Sequence, residues 1–283
     1  MKSSHQRILM FLVALPLLVI IIKLPYRNHL PVNAATVLFS SLGALEFRGM
    51  LKKQELDISV AETIILGGLS PLAMALGASF NLTISLVPLF VCCGAIWVLI
   101  SRIFAPTEQL KDTLKYIAAG FSVLMYPGMF MLWIIRMTHF DYADQVLLIF
   151  MGIVIANDSA AWAFGMLFGK GNRGVVSVSP NKSIAGFAGG IASSTILGIC
   201  AALYVPQAFS VHRLPMVLSG FILGFCSGIA AIVGDLAESA IKRSSGVKDS
   251  GVIVPGRGGV LDSIDSIAFT APVFCGLYWL LFR

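Results

Sequence analysis

Acidic and basic side chains are concentrated in one polar segment near the C-terminal end of the sequence. Asp235, Ser239 and Lys242 follow one another at offsets of four and three, which places them on one face of a helix. Asp262 and Asp265 are three residues apart at the start of the last apolar run and share a face in the same way. We therefore expect the three carboxylates to converge from two helix ends, as a magnesium site requires.

Further polar residues follow Lys242 within this segment: Arg243, Lys248, Asp249 and Arg257. The connection between the two helices is rich in glycine, so its backbone N–H groups can turn toward an anion. Cations and free N–H groups beside carboxylates predict a site for a polyphosphate with its metal ion.

A second polar region precedes this segment. Asp158 lies inside an apolar run, where a carboxylate is costly and indicates a functional site. Ser179 and Lys182 come just before a predicted helix, for which Ser183 is a suitable N-cap. A cation and hydroxyl groups at a helix N-terminus favour phosphate binding.

These two regions resemble one known family. The run from Gly234 to Ser266, GDLAESAIKRSSGVKDSGVIVPGRGGVLDSIDS, resembles the C-terminal signature of phosphatidate cytidylyltransferases (CDP-diacylglycerol synthases). NDSAAWAFGMLFGK at 157–170 and SPNKSIAGFAGG at 179–190 resemble a second region of that family. Three positions depart from the family pattern, which has His where this chain has Arg257, Arg where it has Ser263 and Glu where it has Ala185.

The resemblance implies transfer of CMP from CTP to phosphatidate, with release of diphosphate. It implies Mg²⁺ held by Asp235 and Asp262, with a second cation shared by Asp265. Catalytic roles fall to Asp235, Asp262, Lys242, Arg243, Lys248 and Asp249. Contacts to nucleotide and phosphate fall to Ser179, Lys182, Ser239, Arg257 and Asp158. The expected partners are CTP, phosphatidate and membrane lipids, without nucleic acid.

Two other kinds of function stay open at this point. A CTP-dependent enzyme acting on another lipid, such as a prenol kinase or an archaeol-type cytidylyltransferase, would keep the phosphate and metal residues and change the lipid groove. The departures at Arg257, Ser263 and Ala185 also fit a catalytically impaired homologue or a transporter. A transporter places ionisable residues at mid-membrane depth, whereas the charges here crowd one predicted face.

The composition identifies the class of protein. Hydrophobic residues make up 57% of the 283 residues and charged residues only 12%, about half the share in soluble domains. We predict an all-α polytopic membrane protein with about nine spans, since a span takes about 20 apolar residues. They cover about 8–24, 32–47, 61–79, 83–104, 114–136, 145–169, 184–208, 215–234 and 266–282.

The distribution of cations predicts the orientation of these spans. With a cytoplasmic N terminus, only Lys23, Arg27, Arg136, Arg213 and Arg283 fall on the opposite side, as the positive-inside rule requires. We therefore expect a multi-pass protein of the inner (plasma) membrane whose N terminus and active site face the cytoplasm.

The sequence also predicts two parts. Residues 1–140 form an N-terminal scaffold of membrane helices, and residues 141–283 form a catalytic half with its site at the cytoplasmic face. Gly220, Gly224 and Gly228 recur at every fourth position of that half, which predicts a face of close helix packing. A homodimer is compatible with the sequence, which does not decide the oligomeric state.

Overall fold

The computed structural model describes residues 2–80, 82, 85–209, 213–254 and 256–283, with the backbone alone for residues 2–11. The described chain is helical, with two isolated β-bridges and no named strand among these residues. The helices are α1 (Lys2–Lys23), α2 (Leu30–Lys52), α3 (Val60–Phe80), α4 (Val87–Ile100), α5 (Thr107–Leu110), α6 (Thr113–Val123), α7 (Leu132–Met137), α8 (Ala143–Phe168), α9 (Ile184–Tyr204), α10 (Met216–Ser244) and α11 (Leu261–Phe282).

The all-α membrane class predicted from composition is confirmed. Seven helical segments in the described chain are long and apolar enough to cross a membrane: α2, α3, residues 113–137, and α8 to α11. Shorter apolar helices, Leu12–Lys23 and Val87–Ile100, coincide with the first and fourth predicted spans. The total of nine spans stays a prediction.

The chain divides into two compact units. The first comprises residues 1–138 and 241–264, and the second comprises residues 139–240 and 265–283. The expected division after residue 140 lies close to the observed boundary after Thr138. The connection at 241–264, which the sequence analysis placed in the C-terminal half, belongs with the N-terminal helices instead. The reason is a set of hydrogen bonds from this connection to α2, described below.

In the first unit, small residues bring α2, α3 and the segment after α6 together. Ser40 Oγ in α2 donates to Gly67 O at 2.7 Å and also to Pro127 O. Pro127 lies in a π-helical stretch, Leu124–Met129, which joins α6 toward α7. Proline has no N–H and its ring crowds the preceding turn, so a wider turn accommodates it. These contacts fix the position of α2, which carries a site residue.

In the second unit, the predicted glycine face is confirmed. A Cβ built on Gly220 would lie 2.7 Å from Gly198 O, and one on Gly224 would lie 2.3 Å from Ser194 O. Thus α9 and α10 touch backbone to backbone, as small residues permit. Asn157 of α8 donates to Gly228 O of α10 at 3.2 Å. This buried amide holds α8 beside α10 and so positions its neighbour Asp158.

We predict that Gly224→Ala lowers the thermal stability of the purified protein by roughly 3 °C or more. The added methyl group meets backbone oxygen that cannot move aside, and overpacking costs about 1–3 kcal/mol. The matched control is Gly276→Ala, where a Cβ meets no described atom within 4 Å. Equal melting temperatures for the two variants would show that this helix contact is not close.

Candidate active site

A buried ion pair forms the centre of the polar cluster in the first unit. Lys242 Nζ lies 2.6 Å from Asp262 Oδ1, and the side chains are only 13% and 7% exposed. Asp262 Oδ2 accepts from Ser250 N, Ser250 Oγ and Gly259 N at 2.9, 2.9 and 2.7 Å. Lys242, at the end of α10, and the loop after it are therefore tied to the first turn of α11.

Sequence analysis missed Glu46, which lies in α2 and is 8% exposed. Its Oε1 accepts from Val260 N at 2.9 Å and its Oε2 accepts from Leu261 N at 2.8 Å. Oε2 also accepts from Ser250 Oγ at 3.0 Å. These N–H groups open α11, where the helix dipole favours a negative charge. The sequence contains a signal for this residue, because Glu46 is a carboxylate within the second predicted span, where a charge is costly and indicates a function.

Asp262 lies in the first turn of α11 and does not cap this helix. Helix α11 begins at Leu261, and Asp262 reaches back to Gly259 N instead of accepting from a residue further along the helix. The first N–H groups are already taken, because Glu46 accepts from the two preceding residues and Ser250 Oγ accepts from Asp262 N at 3.2 Å. The carboxylate of Asp262 is therefore not needed as a cap and forms the ion pair with Lys242.

Glycine permits the close approach of this loop to Glu46. A Cβ on Gly259 would lie 2.2 Å from Glu46 Oε2, and one on Gly251 would lie 2.3 Å from Glu46 Oε1. Gly256 and Gly258 have φ values of 78° and 110°, and Gly258 N donates to Val254 O at 3.0 Å. This tight turn carries Arg257. Pro255 of the motif lies outside the described residues.

The remaining predicted residues of this segment are exposed: Arg243 in the last turn of α10, and Lys248, Asp249 and Arg257 in the loop after it. The β-carbon of Asp249 lies 3.1 Å from the Cβ position of Gly258, so it stands beside the turn that carries Arg257. Exposed cations around a buried lysine and its carboxylate form a basic surface, which suits the phosphates of a nucleotide.

The second unit contains a cavity of about 460 Å³. Its polar lining includes Asp158, Lys182 and Asp235, which the sequence predicted, and Arg173 and Asn181. Lys182 Nζ donates to Asp235 Oδ2. The apolar part of the lining is Trp162, Met166, Phe187 and Ile232. A cavity with charged and apolar walls suits an amphiphile with a phosphate group.

The loop between α8 and α9 carries Lys182 to this cavity. Gly174 N donates to Lys182 O at 3.2 Å, and Arg173 and Ser183 form an isolated bridge. The predicted N-cap is confirmed, since Ser183 Oγ accepts from Gly186 N at 3.1 Å. Lys182 therefore immediately precedes the cap of α9, near the positive end of its dipole.

Three predicted residues of the second unit do not line this cavity: Ser179, Ser239 and Asp265. Ser179 O accepts from Lys182 N at 3.1 Å, so it shapes the turn before α9. Asp265 is 7% exposed, and its Oδ1 accepts from Ser266 N at 2.6 Å. Their predicted contacts with phosphate or metal stay predictions.

The described carboxylates are the candidate ligands for a magnesium ion. In the part of the chain that the structure describes, no group of three or more His, Cys, Asp or Glu side chains is arranged to hold a metal ion. Magnesium usually takes one or two protein carboxylates and completes its shell with water and phosphate. Asp235, one of the predicted ligands, lines a cavity together with Asp158, so the carboxylates there fit this coordination. Metal binding by Asp262 and Asp265 stays a prediction.

We predict that Glu46→Ala makes the amides of residues 257–262 exchange with solvent about tenfold faster, measured by hydrogen–deuterium exchange. The substitution leaves buried N–H groups without their acceptor, at a cost of about 1–3 kcal/mol. Glu46→Gln keeps one acceptor and should fall between. Glu108→Ala, at an exposed position of α5, is the control. Unchanged exchange in Glu46→Ala would remove Glu46 from this role.

The chain is similar to proteins named phosphatidate cytidylyltransferase and to one uncharacterized protein. A phosphatidate cytidylyltransferase of Haemophilus influenzae is 35% identical over 173 residues, 60% of this chain and 59% of the relative. That of Bacillus subtilis is 35% identical over 178 residues, 62% of each protein. The uncharacterized protein YnbB of Escherichia coli is 35% identical over 144 residues, 50% of this chain and 46% of the relative.

The chain spans less than two thirds of the length of each of these relatives. The family model described as the cytidylyltransferase family, in contrast, matches residues 5–281, which includes both polar clusters and nearly all helices. The chain therefore belongs to the cytidylyltransferase family.

Proposed function

We propose that the protein transfers CMP from CTP to phosphatidate, giving CDP-diacylglycerol and diphosphate. The observation that carries this proposal is the cavity of the second unit, in which Lys182, Arg173 and two carboxylates face an apolar wall. A lipid with a phosphate monoester presents matching charged and apolar parts. Relatives from Haemophilus influenzae and Bacillus subtilis bear the name phosphatidate cytidylyltransferase, which supports the same substrates.

The reaction is a phosphoryl transfer between two anions. An oxygen of the lipid phosphate bonds to the α-phosphorus of CTP, and the bond from that phosphorus to the bridging oxygen of the diphosphate breaks. No general base is needed, because the lipid phosphate is already ionised near neutral pH. The chain must therefore supply positive charge and alignment.

Lysine and arginine supply that charge in this proposal. Lys242 is held by Asp262, and Lys182 by Asp235, so each ammonium group has a fixed direction before substrate binds. Arg243 in the last turn of α10 and Lys248 and Arg257 on the loop after it are exposed and would contact the outer phosphates. Arginine suits this role because its planar fork can hold two phosphate oxygens at once.

Asp235 and Asp262 would hold Mg²⁺, and Asp265 would contribute to a second cation. The metal, when bound, neutralises charge that develops on the diphosphate leaving group. Both oxygens of Asp262 accept hydrogen bonds, Oδ1 from Lys242 and Oδ2 from Gly259 N, so the carboxylate is held in place where it would bind the metal.

The proposed location is the inner membrane, with the N terminus and site on the cytoplasmic side, where nucleoside triphosphates are. The multi-pass helical chain and the uneven distribution of cations support this orientation. Phosphatidate would approach within the bilayer, and its acyl chains would pass beside the apolar residues of the cavity, such as Trp162 and Met166.

We expect Asp235→Asn and Asp262→Asn each to reduce CMP transfer at least tenfold at saturating Mg²⁺, measured with purified protein, CTP and phosphatidate. Each substitution keeps the side-chain size and removes the charge that binds the metal or holds its lysine. Asp141→Asn is the control, because Asp141 is 87% exposed and pairs with Arg283. A variant that folds normally and keeps more than about a tenth of wild-type activity would exclude that residue.

The departures from the family pattern generate a separate prediction. Arg257 lies on the turn before α11, and Ser263 Oγ donates to Gly259 O at 3.2 Å in the helix that follows. We propose that Arg257 contacts the phosphate that an arginine at 263 would otherwise reach. Arg257→His should then lower kcat/KM about 30-fold, on the scale of a lost charged hydrogen bond of about 2 kcal/mol.

The double variant Arg257→His with Ser263→Arg should recover most of this loss, because the guanidinium returns at the other position. Equal activity of the single and double variants would contradict compensation. An inactive wild type together with an active double variant would instead favour the impaired homologue.

A further inference from the structure

A larger cavity, of about 600 Å³, lies in the first unit. Its walls come from the α2–α3 connection and from the segment between α4 and α6. None of the site residues expected from the sequence lines it, and the proposed reaction does not use it. The cavity is therefore a separate feature that requires its own explanation.

Fixed charges of both signs line this cavity. The cations are Arg48, Arg102 and Lys115, and the carboxylates are Glu55, Asp57, Glu62 and Asp112. Several of them pair across the rim: Arg48 with Asp57 at 3.1 Å, and Lys115 with Glu55 at 3.0 Å. Exposed pairs of this kind contribute little stability, so a ligand can replace them at low cost.

Hydrogen bonds to Glu62 order one wall of the cavity. Glu62 accepts from Tyr116 O–H at 2.6 Å, from Trp97 Nε1 at 3.2 Å and from Ser59 N at 3.3 Å. The guanidinium of Arg102 lies over the ring of Tyr116, 4.1 Å from its centroid. Tyr116 is only 3% exposed. Tyr116, which donates to Glu62 and stacks with Arg102, therefore gives the cavity a defined polar wall.

The mixture of charges restricts the ligand. A purely anionic ligand would face four carboxylates, and a purely cationic one would face three cations. A zwitterion, in contrast, offers a partner to both sets of charges.

Apolar side chains beside the cavity indicate that the ligand is a lipid. Phe104 lines the cavity and is 96% exposed. Its neighbour Ile103 is 64% exposed, and Leu114 on α6 is 80% exposed. Exposed apolar residues at the end of membrane helices can contact acyl chains, whereas a soluble polar metabolite would leave them without an apolar partner.

We propose that this cavity binds the headgroup of a zwitterionic phospholipid that carries a primary ammonium, as in phosphatidylethanolamine. The lipid phosphate accepts hydrogen bonds from Arg102 and Lys115, and the ammonium donates hydrogen bonds to the carboxylates. A primary ammonium has three N–H donors for Glu55, Asp57 and Glu62, whereas a choline headgroup has none. This binding site is independent of the proposed reaction.

The connection between α2 and α3, which lines this cavity, also contacts the end of α10. Gln54 Nε2, next to Glu55, donates to Ser244 O at 2.6 Å, two residues beyond Lys242. Arg48 of the cavity and Glu46 of the α11 cap lie two residues apart on α2. A lipid bound here would therefore lie beside elements that position the loop of the first unit.

The test is native mass spectrometry of the purified protein in detergent with added phosphatidylethanolamine, phosphatidylcholine or phosphatidylglycerol of identical acyl chains. We expect phosphatidylethanolamine to bind at least fivefold more tightly than the other two lipids. Equal binding of all three would overturn the proposal. The readout is bound mass, so it does not depend on CTP turnover, and failure of the proposed reaction leaves it intact.

Matched variants locate the site. Lys115→Gln and Glu55→Gln should each weaken phosphatidylethanolamine binding at least fivefold, and both residues are exposed enough to be replaced without unfolding. Lys111→Gln is the control, because Lys111 is an exposed cation of the same segment that does not line the cavity. Loss of binding in the control, or none in the cavity variants, would exclude this cavity.

A water-soluble headgroup analogue distinguishes binding of the whole lipid from binding of its headgroup alone. Glycerophosphoethanolamine at the same concentration should displace little of the bound phosphatidylethanolamine, because it lacks the acyl chains that contact Phe104. Displacement at equal concentration would assign the cavity to a soluble phosphoethanolamine compound and overturn the lipid proposal.

Discussion

A carboxylate near the end of a membrane helix must be matched by a cation or by N–H donors, because desolvation makes an isolated charge costly. Three carboxylates of the candidate site have such partners. Asp262 holds Lys242, Asp235 holds Lys182, and Glu46 accepts from the first N–H groups of α11. These pairings hold the two lysines in fixed directions and attach α2 to the first turn of α11.

The pairings work only because the helices around them are closely packed. Gly224 lets α9 approach α10, and Gly251 and Gly259 let the loop approach Glu46. At each place a side chain would collide with backbone or carboxylate oxygen. Glycine in this chain therefore brings backbone close to backbone in the second unit and backbone close to a charge in the first. Charged groups of the candidate site gain fixed positions in both cases, and the proposed catalysis by alignment depends on such fixed positions.

Local features could be predicted from the sequence. Apolar runs gave the helices, the serine before α9 gave its cap at Ser183, and the glycine spacing gave the close face of α10. Contacts between distant residues could not be predicted. Glu46 and Leu261 are 215 positions apart, and no periodicity connects them. For the same reason the loop was assigned to the C-terminal half, although it belongs with the first unit.

The proposed function of this member of the cytidylyltransferase family is transfer of the CMP group to phosphatidate. The most direct measurement gives the purified wild-type protein phosphatidate, Mg²⁺ and CTP labelled at either the α- or the γ-phosphorus. The account predicts that label from the α-position enters a lipid that co-migrates with CDP-diacylglycerol, and that label from the γ-position leaves as diphosphate. Entry of γ-label into lipid, or no label in lipid from either position, would contradict it.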